Sequence, residues 1–459
     1  MHYEKFADGS VKCIEDEIPF ELPEGWAWAR IYSITEDLPY GTAKKSMQKG
    51  LVAVLRMGNI QSGEIDYSDL VYSSDINDIE KYTLVKNDLL FNRTNSAEWV
   101  GKTAIYRGNM PAIYAGYLIR VRTFINPEYL NVVMNSGYAK AYCNLVKTDG
   151  VNQSNINAQK LGNFLVPIPS VDEQKRISSS IIKIIPKILL IREEKEHIVD
   201  LIQQTKTKIL DLAIRGQLMP QNPDDEPASV LLERIRAEKE ELIKRGKIKR
   251  DKKESIIFKG EDNSYYLSTS DNKSYDVDVP FDIPDSWHWA RLKDVFIINP
   301  RNKLNDDLDI SFIPMPLIDD GYSGKHTAEV RQWKEVKTGF THFAEGDVGV
   351  AKITPCFENR KSTVFMNLAN GYGAGTTELH ILRPIGSILS QYLLAYLKSD
   401  YFVENGKQTF TGAVGQQRIS KEYVENAYFP IPPKLEQERI IQMINTIFKY
   451  LNVISDAIS

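Results

Sequence analysis

The amino-acid sequence predicts an α+β protein made of two similar globular modules, joined by long helices that form an antiparallel, coiled-coil-like spacer. Three observations predict this fold: a tryptophan-rich motif that occurs twice, a second motif repeated at nearly the same offset, and an isoleucine stripe of helical period after each copy. The predicted segments are two modules at 1–169 and 254–432, a central helical region at 170–253, and a shorter C-terminal helix at 433–459.

The first repeated motif opens each module. PFELPEGWAWARI at 19–31 matches PFDIPDSWHWARL at 280–292, with seven of thirteen positions identical. Its tryptophans alternate with other residues, as in a half-buried strand. Stacking platforms for nucleic-acid bases suit single strands, and residues shared by both copies suit a common scaffold. We therefore expect the paired tryptophans Trp26, Trp28, Trp287 and Trp289 to belong to the core.

The second repeated motif closes each module. FLVPIPSVDEQKRI at 164–177 matches AYFPIPPKLEQERI at 427–440, an offset of 263 residues against 261 at the opening motif. Between the two motifs similarity almost vanishes, apart from a weak match of KNDLLFNR at 86–93 with EGDVGVAK at 345–352. The sequence therefore predicts two modules with one framework and different interiors.

Helical periodicity follows each closing motif. Ser170 and Glu173 have the spacing of a capping box, and Pro186 predicts a kink or local opening of the helix that follows. Isoleucines then recur at alternating spacings of four and three, the pattern of a packed helical stripe. We expect the two stripes to pack against each other, the alternative being that each packs on its own module; the predicted helix-interface residues are Ile177, Ile181, Ile184, Ile188, Ile440, Ile444, Ile447 and Leu451.

Composition and motifs exclude several classes of protein. The 459 residues carry a net charge of −4, only three cysteines, no apolar stretch long enough to span a membrane and no secretion signal, which favours a cytoplasmic protein without a disulfide framework. The sequence contains neither a phosphate-binding glycine loop followed by Lys-Ser/Thr nor histidines and cysteines at zinc spacing. It also lacks the Asn/Asp-Pro-Pro-aromatic tetrad of amino-methyltransferases. We expect a non-catalytic chain with no metal site.

Several stretches resemble the specificity subunits of type I restriction–modification systems. The central stretch LAIRGQLMPQNPDDEPASVLLERIRAEKEELIKRGKIKRDKK at 212–253 resembles their central conserved region. LRMGNIQSGEID (55–66), NDLLFNRTNSAEWVGKT (87–103), FIPMPLIDDG (312–321), GDVGVAKITPCFENRKS (346–362) and GTTELHILRP (375–384) resemble parts of two different target-recognition domains of that family. The resemblance covers nearly the whole chain.

This resemblance implies a function. Each module reads one half of an asymmetric, bipartite site on double-stranded DNA. The helices bind modification (methyltransferase) subunits, expected to number two, and restriction (translocase and nuclease) subunits. S-adenosylmethionine, ATP and magnesium would then be bound by those partners, with no cofactor on this chain. The alternative is a duplicated, non-catalytic module that binds protein or carbohydrate.

Candidate DNA-reading residues have side chains that match base edges. Arginine and lysine suit guanine, and asparagine and glutamine suit adenine. Basic and amide side chains concentrate in a few polar clusters of each module, including the DGVNQSNI and GAVGQQRI stretches. The predicted DNA-binding residues are Arg56, Asn59, Asn92, Arg93, Thr94, Asn95, Lys102, Asn152 and Gln153 in the first module, and Lys352, Thr354, Asn359, Arg360, Lys361, Thr376, Gln416, Gln417 and Arg418 in the second.

Overall fold

The computed structural model describes residues 1–150, 153–250, 255–269, 273–413 and 415–458. The chain divides into two compact units, Met1–Arg192 (unit 1) and Glu193–Ser459 (unit 2). Each unit contains one copy of the opening motif and one copy of the closing motif. The finer four-segment division stays a prediction.

Unit 1 consists of short strands and helices. In chain order they are β1 (Tyr3–Lys5), β2 (Val11–Cys13), β3 (Ala27–Arg30), β4 (Val52–Leu55), β5 (Ile60–Gln61), β6 (Glu64–Ile65), β7 (Val71–Ser73), α1 (Ile76–Tyr82), β8 (Leu89–Asn92), β9 (Thr94–Asn95), β10 (Thr103–Ile105), β11 (Ala112–Tyr114), β12 (Leu118–Val121), α2 (Pro127–Met134), α3 (Gly137–Val146), β13 (Thr148–Asp149), β14 (Ser154–Asn155), α4 (Ala158–Gly162), β15 (Leu165–Ile168) and the first part of α5 (Val171–Ile214). Short 3-10 turns lie at Glu15–Glu17, Ile31–Ile34 and Met57–Asn59.

Unit 2 contains the rest of α5 and a second set of elements. In chain order these are α6 (Ala228–Lys244), β16 (Ser255–Lys259), β17 (Tyr265–Thr269), β18 (Ser274–Asp276), β19 (His288–Arg291), α7 (Leu292–Val295), β20 (Phe296–Ile298), β21 (Asp309–Ile313), β22 (Glu329–Gln332), α8 (Trp333–Val336), β23 (Thr341–Ala344), β24 (Val348–Ala351), β25 (Ser362–Val364), β26 (Tyr372–Gly375), β27 (Leu379–Pro384), α9 (Ser390–Leu397), α10 (Asp400–Lys407), α11 (Lys421–Asn426), β28 (Tyr428–Ile431) and α12 (Lys434–Ile458). Short 3-10 turns lie at Met315–Leu317 and Ala369–Gly371.

The sheet topology repeats between the units. In unit 1, β8 lies between β12 and β10 and is antiparallel to both, while β4 pairs in parallel with β11. In unit 2, β24 lies in the same way between β27 and β25, and β21 pairs in parallel with β26. The mixed strand and helix content and the repeated topology confirm the predicted α+β class and the duplication.

The opening and closing motifs form one small sheet in each unit. β3 pairs antiparallel with β15, and β19 pairs antiparallel with β28. Trp28 packs edge-on against Phe20, with ring centroids 5.0 Å apart, and Trp289 packs in the same way against Phe281 at 4.9 Å. Trp289 is only 1% exposed. Each tryptophan thus belongs to an aromatic cluster that holds the ends of its module together.

A buried ion pair is also repeated. Arg122 donates from Nε and Nη2 to the two carboxylate oxygens of Asp88 at 2.7 and 2.8 Å, and Arg383 donates in the same way to Asp347 at 2.8 and 2.8 Å. Both aspartates are 1% exposed, and each also accepts the N–H of the residue three positions earlier. Since both aspartates directly precede a central strand (β8 or β24), the pair fixes the start of that strand in each unit.

The helix α5 begins at the predicted cap, where the Ser170 hydroxyl accepts the Glu173 N–H at 3.3 Å. It continues as a helix through Pro186. Ile177 packs against the core of unit 1, as in the alternative prediction, and Ile181 is half-buried. Ile184 and Ile188 are 50% and 54% exposed. The predicted interface role of these last two residues is therefore not realised in this structure.

The second isoleucine stripe packs within unit 2. Ile440 and Ile444 are buried in one hydrophobic cluster with Ile209 and Leu210 of α5, and Ile447 and Leu451 pack against that cluster. The two helices run antiparallel, since Lys206 Nζ donates to Asn452 Oδ1 at 2.6 Å, whereas Gln221, which follows α5, reaches Glu436 near the start of α12. The stripe of α12 is thus paired with a later part of α5 than the predicted residues 177–188.

Candidate nucleic-acid interface

The ends of the central strands β8 and β24 mark equivalent positions in the two units. The Ile156 N–H donates to the Arg93 carbonyl at 2.9 Å, and the Ile419 N–H donates to the Lys352 carbonyl at 3.0 Å. Arg93 and Lys352, both predicted to read DNA, therefore occupy the same place on one framework. Each lines a cleft, and the other residues of the two clefts differ.

The cleft of unit 1 has a volume of about 740 Å³. Among the described residues that line it, none is acidic; its polar side chains are Thr42, Lys44, Lys45, Ser46, Gln48, Arg56, Arg93, Thr94 and Tyr117. Lys44 is paired with Asp75 at 2.6 Å. A cleft of this composition is suited to hydrogen-bond acceptors and to negative charge.

Arg93 lines this cleft, and its guanidinium is held in position by three neighbours. Its guanidinium lies over the ring of Tyr40, 4.5 Å from the centroid. Nη1 donates to the Gly116 carbonyl at 3.2 Å and Nη2 to Asn155 Oδ1 at 3.3 Å. Because each Nη carries two hydrogens, each nitrogen keeps a second N–H. Arginine N–H groups are suited to the O6 and N7 acceptors of guanine.

Arg56 lines the same cleft, and the Asn59 side chain holds the Arg56 backbone in place. The Asn59 amide oxygen accepts the Arg56 N–H at 2.8 Å, and its Nδ2 donates to the carbonyls of Asp66 and Asp69 at 2.9 Å. Asn59 is 3% exposed. Its predicted contact with DNA is therefore corrected to a supporting one, because its hydrogen-bonding groups are used inside the loop. Arg56 itself is paired with the Asp69 carboxylate at 2.8 Å.

The predicted cluster 92–95 divides into buried and accessible positions. Asn92 lies fully buried in β8, so a base contact by its side chain is ruled out in this conformation. Thr94 accepts a hydrogen bond from Asn155 Nδ2 at 2.8 Å, and Asn95 accepts the Ser96 N–H at 2.8 Å. Both are half-buried, and Thr94 lines the cleft.

Lys102 and the predicted amide pair lie outside the lining of this cleft. The Lys102 ammonium lies 3.7 Å from the ring centroid of Trp99, and partial burial lowers its pKa. Gln153 is exposed. Asn152 lies outside the described residues.

The cleft of unit 2 is smaller, with a volume of about 310 Å³. Lys352 lines it together with Arg301, Thr341 and Thr377, and none of the described lining residues is acidic. His380 forms part of its wall, and burial lowers the pKa of this imidazole to about 4, with a further contribution from the nearby Lys352 charge. The histidine is therefore neutral at pH 7, and the lysine provides positive charge.

Three predicted residues of unit 2 have structural roles instead. Thr354 is 8% exposed and accepts the Gln417 N–H at 3.1 Å. The Arg360 guanidinium donates to the Lys398 carbonyl at 3.1 Å and pairs with Asp400. Lys361 donates to the Met315 carbonyl at 3.2 Å. These contacts correct the predicted base contacts of Thr354, Arg360 and Lys361, because the polar groups bind the protein itself.

Other predicted residues of unit 2 lie nearer the surface. Arg418 forms a two-fold hydrogen bond with the Glu378 carboxylate, at 2.9 and 3.0 Å, and so faces an acidic partner already. Thr376 accepts the Glu378 N–H at 3.1 Å. The surface side chains are those of Asn359 and Gln416, which are exposed, and Gln417, which is half-buried.

The sequence does not single out Lys44, Lys45 and Gln48 in unit 1 or Arg301 in unit 2, although all four line the clefts. A signal existed for the first group, because GTAKKSMQKG at 41–50 is a basic stretch bounded by glycines. Residues 244–253, KRGKIKRDKK, form the most basic run of the chain. Within it Lys244 pairs with Glu241 and Arg250 with Glu240, while 251–253 lie outside the described residues.

The described residues contain no group of three or more His, Cys, Asp or Glu side chains arranged to hold a metal ion. No described helix combines the length and the apolar character that crossing a membrane requires.

The repeated framework and the two unlike clefts define a duplicated, two-module recognition protein. The chain matches the family model of the type I restriction modification DNA specificity domain over residues 36–199 and 284–458, and it belongs to this family. It is 48% identical over 242 residues to the type I restriction enzyme EcoAI specificity subunit of Escherichia coli, and 46% identical over 242 residues to the EcoEI specificity subunit of the same species. Each match covers 52% of this chain and 38% of the relative. The matched part of this chain therefore spans well under half the length of those relatives.

The fold is also found in a solved structure. A chain from work on complex assembly and conformational transition of the type I R-M system superposes with a TM-score of 0.59 at 16% identity, covering 96% of this chain and 94% of that one. At this identity the likeness concerns the fold alone.

Proposed function

We propose that this chain is the DNA sequence-specificity subunit of a type I restriction–modification complex. Each unit reads one half of a bipartite DNA site, and the chain directs the modification and restriction subunits to that site. The observation that carries the proposal is the pair of equivalent positions Arg93 and Lys352: one framework holds both, and each lines a cleft whose described lining residues include no acid.

The difference between the clefts supports an asymmetric target. Unit 1 offers an arginine fork with lysines and a glutamine around it, whereas unit 2 offers a lysine and an arginine in a cleft less than half as large. Side chains with different donor patterns select different bases in the major groove. Two half-sites of unlike sequence follow from this difference.

In this proposal the chain is non-catalytic and acts in the cytoplasm, where the DNA is found. Methyl transfer from S-adenosylmethionine and ATP- and magnesium-dependent restriction belong to partner subunits, with two modification subunits bound to the helical regions. A net charge of −4 is compatible with this role if the partners supply many of the phosphate contacts.

Base-resolution methylation mapping of host DNA, with and without the gene, tests the proposal. The expected result is a gapped, two-part methylated motif that disappears on deletion and returns when the gene is supplied again. An unchanged methylome, together with failure of the chain to co-purify with a modification subunit, would overturn it. The alternative of a duplicated protein- or carbohydrate-binding module predicts that second outcome.

A further inference from the structure

β14 and the residues that follow it contact Arg93 in three ways. The Ile156 N–H donates to the Arg93 carbonyl at 2.9 Å, and Asn155 Oδ1 accepts a hydrogen bond from Arg93 Nη2 at 3.3 Å. The Ala158 N–H donates to the hydroxyl of Tyr40 at 2.9 Å, and the ring of Tyr40 lies 4.5 Å from the guanidinium. One short stretch of chain therefore holds both the backbone and the side chain of Arg93.

The carboxamide of Asn155 has one favourable orientation. Its Nδ2 donates to Thr94 Oγ1 at 2.8 Å, and Asn155 and Thr94 are directly paired across neighbouring strands. Since the guanidinium of arginine has only N–H donors, a rotated amide would place its NH2 group against Arg93 Nη2. Oδ1 therefore faces Arg93, and both ends of the amide are turned towards groups of the protein.

Arg93 is held by neutral groups alone. Among the described residues, no carboxylate forms an ion pair with its guanidinium, and its Nε is buried without a hydrogen-bond partner. Arg93 therefore keeps its positive charge and further N–H donors for an acceptor from outside the chain. The other arginines within residues 1–169 each form an ion pair with a carboxylate: Arg30, Arg56, Arg107, Arg120 and Arg122.

The corresponding position in unit 2 carries a different side chain. Arg418 stands where unit 1 has Asn155, one residue before the isoleucine whose N–H binds the end of the central strand. It donates to the carboxylate of Glu378 at 2.9 and 3.0 Å, and the residue at that strand end is Lys352. The shared framework thus folds without an amide at this position. The amide of Asn155 is therefore explained by the arginine beside it.

We propose that Asn155 and Tyr40 are positioning residues, which hold the Arg93 guanidinium in the orientation from which it reads one base of the half-site bound by unit 1. This inference rests on the proposed function, since it assigns a DNA base as the outside acceptor. Neither positioning residue contacts that base, because the Asn155 amide is turned towards the protein and the guanidinium lies over the Tyr40 ring. Their effect on base choice passes through Arg93.

The expected size of this effect follows from the flexibility of arginine. A long side chain that must become ordered on binding weakens association by about 2- to 12-fold. Only the preferred base requires the ordered guanidinium, so the loss of a support reduces the preference for that base and leaves the other half-site unchanged. Asn155→Leu removes the acceptor at similar side-chain volume, and Tyr40→Leu independently removes the ring.

Methylation mapping tests the proposal in cells that contain the modification subunits and express each variant in place of the wild type. For Asn155→Leu and Tyr40→Leu we expect a change at one and the same base, the one that Arg93→Ala relaxes. The ratio of methylated fractions at the preferred and next-best base should fall there by about 2- to 12-fold. In an Arg93→Ala background the same two substitutions should cause no further change. Asn155→Asp retains an acceptor oxygen beside Nη2 and should keep the wild-type preference.

Asn157→Ala is the matched control. Asn157 caps α4 in the same stretch by accepting the Lys160 N–H at 2.8 Å, and no described hydrogen bond joins its side chain to Arg93. Its substitution should leave the motif unchanged.

Three results would overturn the proposal: a motif unaltered by Asn155→Leu and Tyr40→Leu, a further change in the Arg93→Ala background, or equal relaxation by Asn157→Ala. Absence of any gapped methylated motif with the wild-type chain would instead refute the proposed function, so the two failures are distinguishable.

Discussion

Arg93→Ala is the substitution that most directly tests how unit 1 would read DNA. The guanidinium is held by the ring of Tyr40 at 4.5 Å and by hydrogen bonds of 3.2 and 3.3 Å to Gly116 and Asn155. Removing it takes away a positioned donor fork and leaves the neighbouring backbone bonds in place, since the Arg93 main chain is bound to Ile156 and Tyr117. We therefore expect a local loss of recognition in an otherwise folded unit.

The magnitude follows from the two N–H groups that remain on the fork. One two-fold contact to a base edge discriminates by about 1–3 kcal/mol, which corresponds to roughly 5- to 150-fold in relative occupancy. The whole effect should fall on one half-site, because Arg93 lines only the cleft of unit 1. Lys352→Ala, at the equivalent position of unit 2, should relax the other half-site.

Methylation mapping in cells that express each variant in place of the wild type measures both effects. The expected result for Arg93→Ala is a motif that becomes degenerate, or is lost, in one half and keeps its other half and its spacing. Arg107→Ala serves as control, because this arginine pairs with Glu64 and Glu128 and does not line the cleft. Equal relaxation of both halves, or an unchanged motif, would refute the assignment.

Three further predictions concern stability. Arg383→Ala leaves the 1%-exposed Asp347 carboxylate without its cation and should destabilise unit 2 by roughly 3–5 kcal/mol, measured by hydrogen exchange of the β24 amides. Burial lowers the pKa of His380 from 6.5 to about 4, so protonation of this imidazole favours the unfolded chain. The free energy of unfolding should therefore be unaffected by this group above pH 6.5 and should fall by about 3 kcal/mol as the pH is lowered towards 4. His380→Gln should flatten this part of the pH profile of urea unfolding. Ile444→Ala should cost about 2–5 kcal/mol and Ile184→Ala less than about 1 kcal/mol, because the side chains are 5% and 50% exposed, respectively.

Each of these predictions has a control and a contrary outcome. Arg234→Ala removes an exposed ion pair with Glu226 and should cost less than about 1 kcal/mol; an equally small loss for Arg383→Ala would show that burial of the pair is unimportant. An unaltered acid transition in His380→Gln would assign the pH dependence to other groups. Similar losses at Ile444 and Ile184 would mean that the stripe of unit 1 is covered.

The framework could be predicted from the sequence because its signals are local and repeated. The opening motif, the closing motif and the stripe spacing each occur twice, so Trp289, Ser170 and Ile440 could be placed before any coordinates were known. The buried pair of Asp88 with Arg122 could not, because its members are 34 residues apart and neither lies in a strong repeat. Its only trace was the weak match of 86–93 with 345–352.

The site was less predictable, because side-chain type does not report which way a side chain points. Asn59 and Asn92 are both suited to bases by chemistry, and both are buried, Asn59 inside a closed loop and Asn92 in a strand that is buried on both faces. Arg360 and Lys361 are basic residues in a polar stretch, yet they bind backbone carbonyls. The loop containing Lys45 reaches the cleft through tertiary folding, which no short motif encodes.

The isoleucine stripes show why periodicity identifies a face of a helix without identifying its partner. Isoleucines with the same spacing are buried at Ile440 and Ile444 of α12 and exposed in the 181–191 part of α5. The spacing is therefore compatible with a packed helix face and with an exposed one. Burying Ile184, Ile188 and Ile191 would gain about 3 kcal/mol at most, taking roughly 2 kcal/mol for a fully exposed side chain. Association of two polypeptides costs more than about 4 kcal/mol. The stripe alone therefore cannot hold a partner, and a stable association must also use contacts outside the stripe.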